Sequence, residues 1–147
     1  AEKLREQGRL ARVVTVFIRT NPHSQHERFY SNSASRLLSV PSADSRRLGG
    51  TALKLLKSIW LPGCRYMKAG IMLSDLYLPG HFQPSLFDAP ETPAAMRLMQ
   101  AVDSINQGGR GQVRFAGELL STGWQMQRSR LSPAYTTRWS QLPRVKS

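Results

Sequence analysis

Residues 9–20 read Arg-Leu-Ala-Arg-Val-Val-Thr-Val-Phe-Ile-Arg-Thr, and this stretch decides the fold class. It is rich in β-branched side chains and alternates in polarity, which predicts a strand with one buried face. The apolar face consists of Val14, Val16 and Ile18. The other face is mixed and carries Val13, Thr15, Phe17 and Arg19.

The sequence on both sides of this strand predicts an α+β fold. Residues 1–7 read as the end of a helix, and Gly8 stops it. Further strands are predicted over residues 33–40 and 65–76, and a helix over residues 44–60 lies between them. The apolar stripe of that helix is Leu48, Ala52, Leu55 and Ile59. The order helix, strand, strand, helix, strand predicts an antiparallel-type sheet with its helices packed on one face.

The strand over residues 65–76 also has two distinct faces. Alternation places Met67, Ala69, Ile71 and Leu73 on one of them. It places Tyr66, Lys68, Met72 and Ser74 on the other. The sheet face away from the helices is therefore expected to present Thr15, Phe17, Arg19 and Lys68 to solvent or to a partner.

The rest of the chain predicts a linker and a small, mostly helical C-terminal region. Residues 79–93 are rich in proline and have no periodicity. A helix is predicted to begin after Thr92, with Pro93 at its first position. Its apolar stripe is Ala95, Leu98 or Met99, Val102 and Ile105. We therefore predict a domain over residues 1–80, a linker over 81–92 and a C-terminal region over 93–147.

The charge of the chain predicts a polyanionic partner. There are 21 Lys and Arg residues against 9 Asp and Glu residues, a formal net charge of +12. Most of this excess lies in residues 1–80, and the last two dozen residues are basic with no acid. Phosphate contacts release condensed counterions, so nucleic acid is the natural partner. An anionic membrane is the rival, but no uninterrupted apolar run of about 18 residues is found.

The cellular compartment is predicted from one cysteine and from the N-terminus. The single Cys64 excludes an internal disulfide and fits a reducing cytoplasm. The charged stretch at residues 1–6 is not followed by an apolar signal-peptide region. Because the sequence begins with Ala1 rather than Met, we expect a piece of a longer protein.

Residues 83–87 read Gln-Pro-Ser-Leu-Phe and match the Gln-x-x-Leu-Phe pattern of peptides that bind the bacterial sliding clamp. Leu86 and Phe87 would anchor the peptide in an apolar pocket, and Gln83 would fix the register by hydrogen bonds. The predicted clamp-binding residues are Gln83, Ser85, Leu86 and Phe87. The alternative is that Phe82, Leu86 and Phe87 fold back onto the domain.

Longer stretches resemble one family in order over almost the whole chain. Residues 28–35, followed by Leu37 and Leu38, are similar to the little-finger domain of UmuC-like, Y-family DNA polymerases. Residues 65–73, Arg-Tyr-Met-Lys-Ala-Gly-Ile-Met-Leu, are similar to its last strand. Residues 109–111, 124–126 and 131–138 resemble the C-terminal region of the same proteins.

This resemblance implies a function in error-prone translesion synthesis during the SOS response to DNA damage. The little finger lays its sheet along primer-template DNA and contacts mostly phosphates, which fix register without reading sequence. Carried over by position, the DNA-binding residues are Arg12, Thr15, Phe17, Arg19, Ser33, Ser35, Arg36, Arg65 and Lys68. For any single arginine, a solvated surface cation is an equally good interpretation. Processed UmuD-like subunits and RecA are the further partners that the resemblance implies.

Two departures from the family pattern limit this prediction. The family's little finger begins with a strand before its first helix, and this sequence begins inside that helix. The sheet is therefore expected to lack its first strand, and residues 112–116 are the candidate for filling the open edge. The acids are mostly scattered, whereas nucleotidyl transfer needs clustered carboxylates that hold two metal ions. We expect no catalysis and no cofactor in this chain, with Mg²⁺ confined to a palm domain that it lacks.

Three other functions compete with this interpretation. A free-standing basic accessory protein would bind structured RNA as well as DNA. A small enzyme would present a concave pocket with a titratable group of shifted pKa. A lipid-binding surface would sediment with anionic liposomes.

Overall fold

The structure is a computed structural model that describes residues 1–24, 28–88, 91–109, 111–115 and 140. The chain divides into two compact units, Ala1–Val113 and Arg114–Ser147, and most of the second lies outside the described residues. The elements of the first unit are α1 (Glu2–Glu6), β1 (Leu10–Thr20), β2 (Ser31–Ser42), α2 (Ser45–Ile59), β3 (Tyr66–Tyr77) and α3 (Pro93–Gln107).

The three strands form one antiparallel sheet in the order β2-β1-β3. The stretch that decided the fold class is therefore the central strand, hydrogen-bonded on both sides. β-branched side chains suit this position because they pack well on a pleated, half-buried surface. The α+β prediction is confirmed.

The core lies between one face of the sheet and α2. Val14, Val16 and Ile18 are buried on β1, as the alternation predicted. Leu48, Ala52 and Ile59 are buried on α2, and Leu55 packs at the edge of the same cluster. The helix packs against β1 and β2. In the described part of the chain, the opposite face of the sheet is not covered by the helices that contribute to this core. We call it the open face.

Local capping signals set the start of α2. The side chain of Asp44 accepts a hydrogen bond of 2.8 Å from the backbone N–H of Arg46, which satisfies one of the free donors at the helix start. Burial of Asp44 opposes its ionisation, but the hydrogen bonds from the Arg46 side chain and backbone outweigh burial. The pKa of Asp44 is therefore held below its ordinary value.

Helix α3 begins as predicted, with Thr92 as N-cap and Pro93 in its first turn. Met99 rather than Leu98 is buried, which decides between the two predicted alternatives, whereas Ile105 is exposed and its place in the predicted stripe is wrong. The inward face includes Asp103, a charged residue that an apolar pattern cannot identify. Helix α3 belongs to the first compact unit, together with residues 1–92. The domain boundary predicted at residue 93 stays a prediction.

Arg5 joins three segments that are distant in sequence. Its guanidinium donates two hydrogen bonds of 2.6 Å to the carboxylate of Asp103 on α3. It also donates a hydrogen bond of 2.7 Å to the carbonyl of Ala43 and one of 2.9 Å to the hydroxyl of Ser45, at the start of α2. Both side chains of the ion pair are mostly buried. The hydrogen bonds from Arg5 lower the pKa of Asp103, and those to Asp103 raise the pKa of Arg5.

We expect Asp103→Asn to lower the free energy of unfolding by about 1.5–3 kcal/mol at pH 7, the usual contribution of hydrogen bonds to a charged group. The pKa of Asp103 is lowered in the folded state, so its stabilisation is present above the ordinary value of 3.8 and is lost as the pH falls below that value. Urea unfolding at pH 7 and at pH 3 measures the effect, and the difference between the two proteins should be smaller at the lower pH.

The control for this change is Asp75→Asn at an exposed site of β3. The backbone of Asp75 lies at a φ of 54°, and asparagine tolerates this left-handed conformation well. We expect a change of less than about 0.5 kcal/mol. An Asp103→Asn variant as stable as this control would contradict the structural role of the Arg5–Asp103 pair.

The structure corrects two further details. Tyr66 lies on the core side of the sheet rather than beside Lys68, because a register shift between Arg19 and Thr20 pairs it with the buried Thr20. Residues 112–115 form no strand, so over the described residues the sheet has three strands and the predicted replacement of the missing strand is wrong. Strand β2 also runs through Pro41 instead of ending there, which an edge strand tolerates.

Candidate nucleic-acid interface and clamp motif

The register of the sheet collects most of the predicted DNA-binding residues on the open face. Directly opposed residues of neighbouring strands share a face. Three such rows cross the face from β2 through β1 to β3. The rows are Ser35, Thr15 and Met72; Ser33, Phe17 and Gly70; and Ser31, Arg19 and Lys68.

One end of the open face carries two cations side by side. Arg19 on β1 is directly opposed by Lys68 on β3. The Nε atom of Arg19 is shielded from solvent and has no hydrogen-bond acceptor among the described residues. A buried donor without an acceptor is costly, and an oxygen of a bound phosphate would remove that cost. This pair is therefore the strongest candidate for an anion contact on the sheet.

The β2 side of the open face is lined with small hydroxyl groups. Ser31, Ser33 and Ser35 are exposed at alternate positions of β2. The hydroxyls of Thr15 and Ser35 lie 2.8 Å apart, within hydrogen-bond distance. Short side chains let a ligand come close to the strands, and hydroxyl groups can donate to phosphate oxygens. The face therefore combines charge at one end with a low, polar surface beside it.

Three of the predicted residues do not join this group. Arg36 is opposed by the buried Val14, so it lies on the helix side of β2. The guanidinium carbon of Arg12 lies 4.9 Å from the centre of the Phe82 ring. The Nε of Arg12 donates a hydrogen bond of 3.3 Å to the carbonyl of Leu38. Arg65 is exposed just before β3 begins. Alternation within one strand could not separate these arginines, because their positions depend on how the strands pair.

Sequence reasoning missed Gly70, which the register places at the centre of the open face beside Phe17. A glycine inside a strand often marks a close approach of another group, and that signal was present in the sequence. It also missed Ser31, because β2 begins two residues earlier than predicted.

The predicted clamp-binding residues lie on an exposed turn. The backbone N–H of Ser85 donates a hydrogen bond of 2.9 Å to the carboxylate of Asp88. The backbone N–H of Asp88 donates one of 3.0 Å to the carbonyl of Ser85. The two residues between them, Leu86 and Phe87, have side chains that are 100% and 97% exposed. They do not fold back onto the domain. Gln83 is exposed as well.

Phe82, by contrast, fixes the start of this segment to the sheet. Its ring lies 5.3 Å from the ring of Tyr77, in an edge-to-face arrangement, and Arg12 covers it. The turn that carries Leu86 and Phe87 therefore begins three residues from an anchored aromatic side chain. The alternative that the apolar residues of this segment fold back onto the domain holds for Phe82 alone.

Comparisons with known proteins show which family this sequence is part of. Residues 1–86 match the impB/mucB/samB family C-terminal domain. The chain belongs to this family. Residues 96–145 match a domain of unknown function, DUF4113.

Curated relatives match almost the whole chain. It is 43% identical to the protein SamB of Salmonella typhimurium, covering 99% of this chain and 35% of SamB. It is 44% identical to the protein ImpB of the same species, covering 97% of this chain and 34% of ImpB. It is also 44% identical to the protein UmuC of Salmonella typhimurium strain LT2, over 99% of this chain and 35% of UmuC. The chain thus spans about a third of the length of these relatives.

No helix among the described residues is long and apolar enough to cross a membrane. No group of three or more His, Cys, Asp or Glu side chains in the described part of the chain could hold a metal ion.

Proposed function

We propose that this chain is the DNA-binding and clamp-binding part of an error-prone translesion DNA polymerase that acts in the SOS response. The observation that carries the proposal is the pair Arg19 and Lys68 on the open face, with the solvent-shielded Nε of Arg19 lacking an acceptor among the described residues. Membership of the impB/mucB/samB family supports the same function. Polymerisation itself, and the Mg²⁺ it needs, would belong to other parts of the parent protein.

The proposed interaction with DNA is electrostatic and independent of sequence. Phosphates of primer-template duplex would bind at Arg19 and Lys68, and the hydroxyl groups of Thr15, Ser33 and Ser35 would contact the backbone beside them. Such contacts suit a polymerase, because the duplex must slide along the sheet after each addition. Arg65 and Arg12 would add charge at the margins.

The proposed interaction with the sliding clamp uses the exposed turn. Leu86 and Phe87 would enter an apolar pocket of the clamp, while Gln83 and Ser85 would form hydrogen bonds at its rim. The full exposure of both apolar side chains supports this role, because the free protein leaves them available. The clamp would hold the polymerase at the primer terminus by raising its effective concentration there.

The C-terminal region is proposed to bind the remaining partners. By resemblance, residues 93–147 would contact a processed UmuD-like subunit and RecA, in the bacterial cytoplasm and near the nucleoid. Most of these residues lie outside the described part of the chain. This assignment stays a prediction that rests on family membership alone.

Fluorescence anisotropy with labelled primer-template DNA tests the proposed function. We expect the affinity to fall steeply with salt, with the logarithm of the binding constant decreasing by about 0.9 for each phosphate contact per decade of salt. When the sliding clamp is loaded onto the DNA, this chain should form a ternary complex with the clamp and the DNA. Equal competition by structured RNA and no response to the clamp would favour an RNA-binding accessory protein instead.

A further inference from the structure

The centre of the open face carries an aromatic ring in an unusual position. Phe17 and Gly70 are directly opposed on β1 and β3. A Cβ atom placed on Gly70 would lie 2.3 Å from Cζ of Phe17 and 2.6 Å from its Cε1. Real Cβ contacts do not occur at such distances. The ring therefore occupies the space in which a side chain at position 70 would stand.

The ring lies across the sheet rather than upright on it. Strand side chains ordinarily stand roughly perpendicular to the sheet, and neighbouring strands are about 4.8 Å apart. The Phe17 ring reaches from β1 over the backbone of β3, which only a glycine at that position permits. Ser33, its neighbour on the β2 side, is small as well. The middle row of the open face is therefore low.

A low middle row matters because of what lies beside it. The row of Arg19 and Lys68 is two residues further along the strands, about 6.6 Å away. The Nε atom of Arg19 is shielded from solvent, so a phosphate oxygen can reach it only by coming close to the sheet and after the groups that shield it move. A ring standing upright at position 17 would hold a DNA backbone away from that atom.

We infer that Gly70 is a positioning residue for DNA binding, because it keeps the Phe17 ring flat and so lets the duplex backbone approach Arg19 and Lys68. This inference rests on the proposed DNA-binding function and assigns a role to a residue that makes no polar contact of its own. The role assigned to Gly70 concerns the height of the ring above the sheet and is separate from any contact that the ring itself makes with the duplex.

The test is a set of four proteins: the 147-residue chain, Gly70→Ala, Phe17→Ala and the double variant. Binding to labelled primer-template DNA is measured at about 0.1 M salt, at a temperature where circular dichroism shows each protein folded. We expect Gly70→Ala to lower the affinity about tenfold, the contribution of roughly one phosphate contact. Phe17→Ala measures what the ring itself contributes to DNA binding, and its affinity is the reference for the double variant.

The double variant distinguishes positioning from damage to the fold. Without the ring, alanine at position 70 has nothing to displace, so we expect its affinity to return to within about threefold of Phe17→Ala. A control is Gly50→Ala on α2, where an added Cβ meets no atom within 4 Å. It should leave DNA binding unchanged.

Several outcomes would overturn the inference. Gly70→Ala could lower the melting temperature while the folded protein binds DNA as tightly as the parent, which would make the glycine purely structural. The double variant could bind about tenfold more weakly than Phe17→Ala, which would show that alanine at position 70 acts without the ring. In each case the proposed function stands and the positioning role falls. Failure of the parent chain to bind DNA at all would remove both.

Discussion

The double change Leu86→Ala and Phe87→Ala is expected to lower the affinity of this chain for the bacterial sliding clamp at least about 100-fold. Truncating a central apolar anchor of an interface typically costs 2 kcal/mol or more, and 1.4 kcal/mol is a factor of ten. Both side chains are almost completely exposed in the free protein, so their removal should not change its thermal unfolding. Surface plasmon resonance with immobilised clamp measures the affinity.

The matched control for this experiment removes two other exposed apolar side chains. Leu53 and Leu61 are 60% and 45% exposed and lie on and after α2, away from the turn. Leu53→Ala with Leu61→Ala should leave clamp binding unchanged. If both double variants bind the clamp like the parent chain, the clamp-binding hypothesis is wrong, whatever happens to DNA binding.

The second large effect is expected from Arg19→Ala together with Lys68→Ala. Loss of two phosphate contacts should reduce the slope of log affinity against log salt by about 2, and should lower the affinity roughly 50-fold at 0.1 M salt. The difference from the parent chain should shrink as the salt concentration approaches about 1 M, because the electrostatic contribution vanishes there. Anisotropy titrations at four or more salt concentrations give both quantities.

A variant with the same change of net charge controls for long-range attraction. Lys54 and Lys57 are exposed on α2, which packs against the other side of the sheet. Lys54→Ala with Lys57→Ala should change the affinity less than about threefold, since distant charges are screened beyond a Debye length of about 10 Å. If this pair matters as much as Arg19 and Lys68, the open face is not the DNA-binding surface.

These two experiments also separate the rival functions. An RNA-binding accessory protein would lose affinity for structured RNA in the Arg19 and Lys68 variant but would ignore the change at Leu86 and Phe87. A translesion polymerase subunit should respond to both, each in its own assay. The two sites are carried by different elements. A variant with all four residues changed should therefore lose clamp affinity as much as the Leu86 and Phe87 variant does, and DNA affinity as much as the Arg19 and Lys68 variant does.

Short-range patterns predicted several features of this protein correctly. The alternation in residues 10–20 gave the buried and open faces of β1 before any pairing was known. The start of α3 at Thr92 was recognisable because a capping side chain bonds to the backbone two or three residues later. The Gln-x-x-Leu-Phe pattern of residues 83–87 is visible because such a peptide needs no tertiary partner within its own chain, and its binding to the clamp stays a prediction.

Features that depend on pairing between distant segments were not predictable in the same way. Arg36 lies on the helix side of the sheet because the β1–β2 register sets it opposite Val14. Tyr66 is turned towards the core by a register shift near the end of β1. Asp103 looked like an ordinary helix-surface acid, and its partner Arg5 is 98 residues away in sequence.

The sequence by itself determined the α+β class, the central strand, the helix starts and the basic character of the domain. It did so because capping and alternation act between residues a few positions apart, and net charge is a sum over the chain. Only the tertiary structure decided that Arg36 lies on the helix side of the sheet, where α3 packs, and that the Phe17 ring lies over Gly70. Those outcomes follow from strand register and side-chain packing, in which one residue of shift moves every side chain to the opposite face.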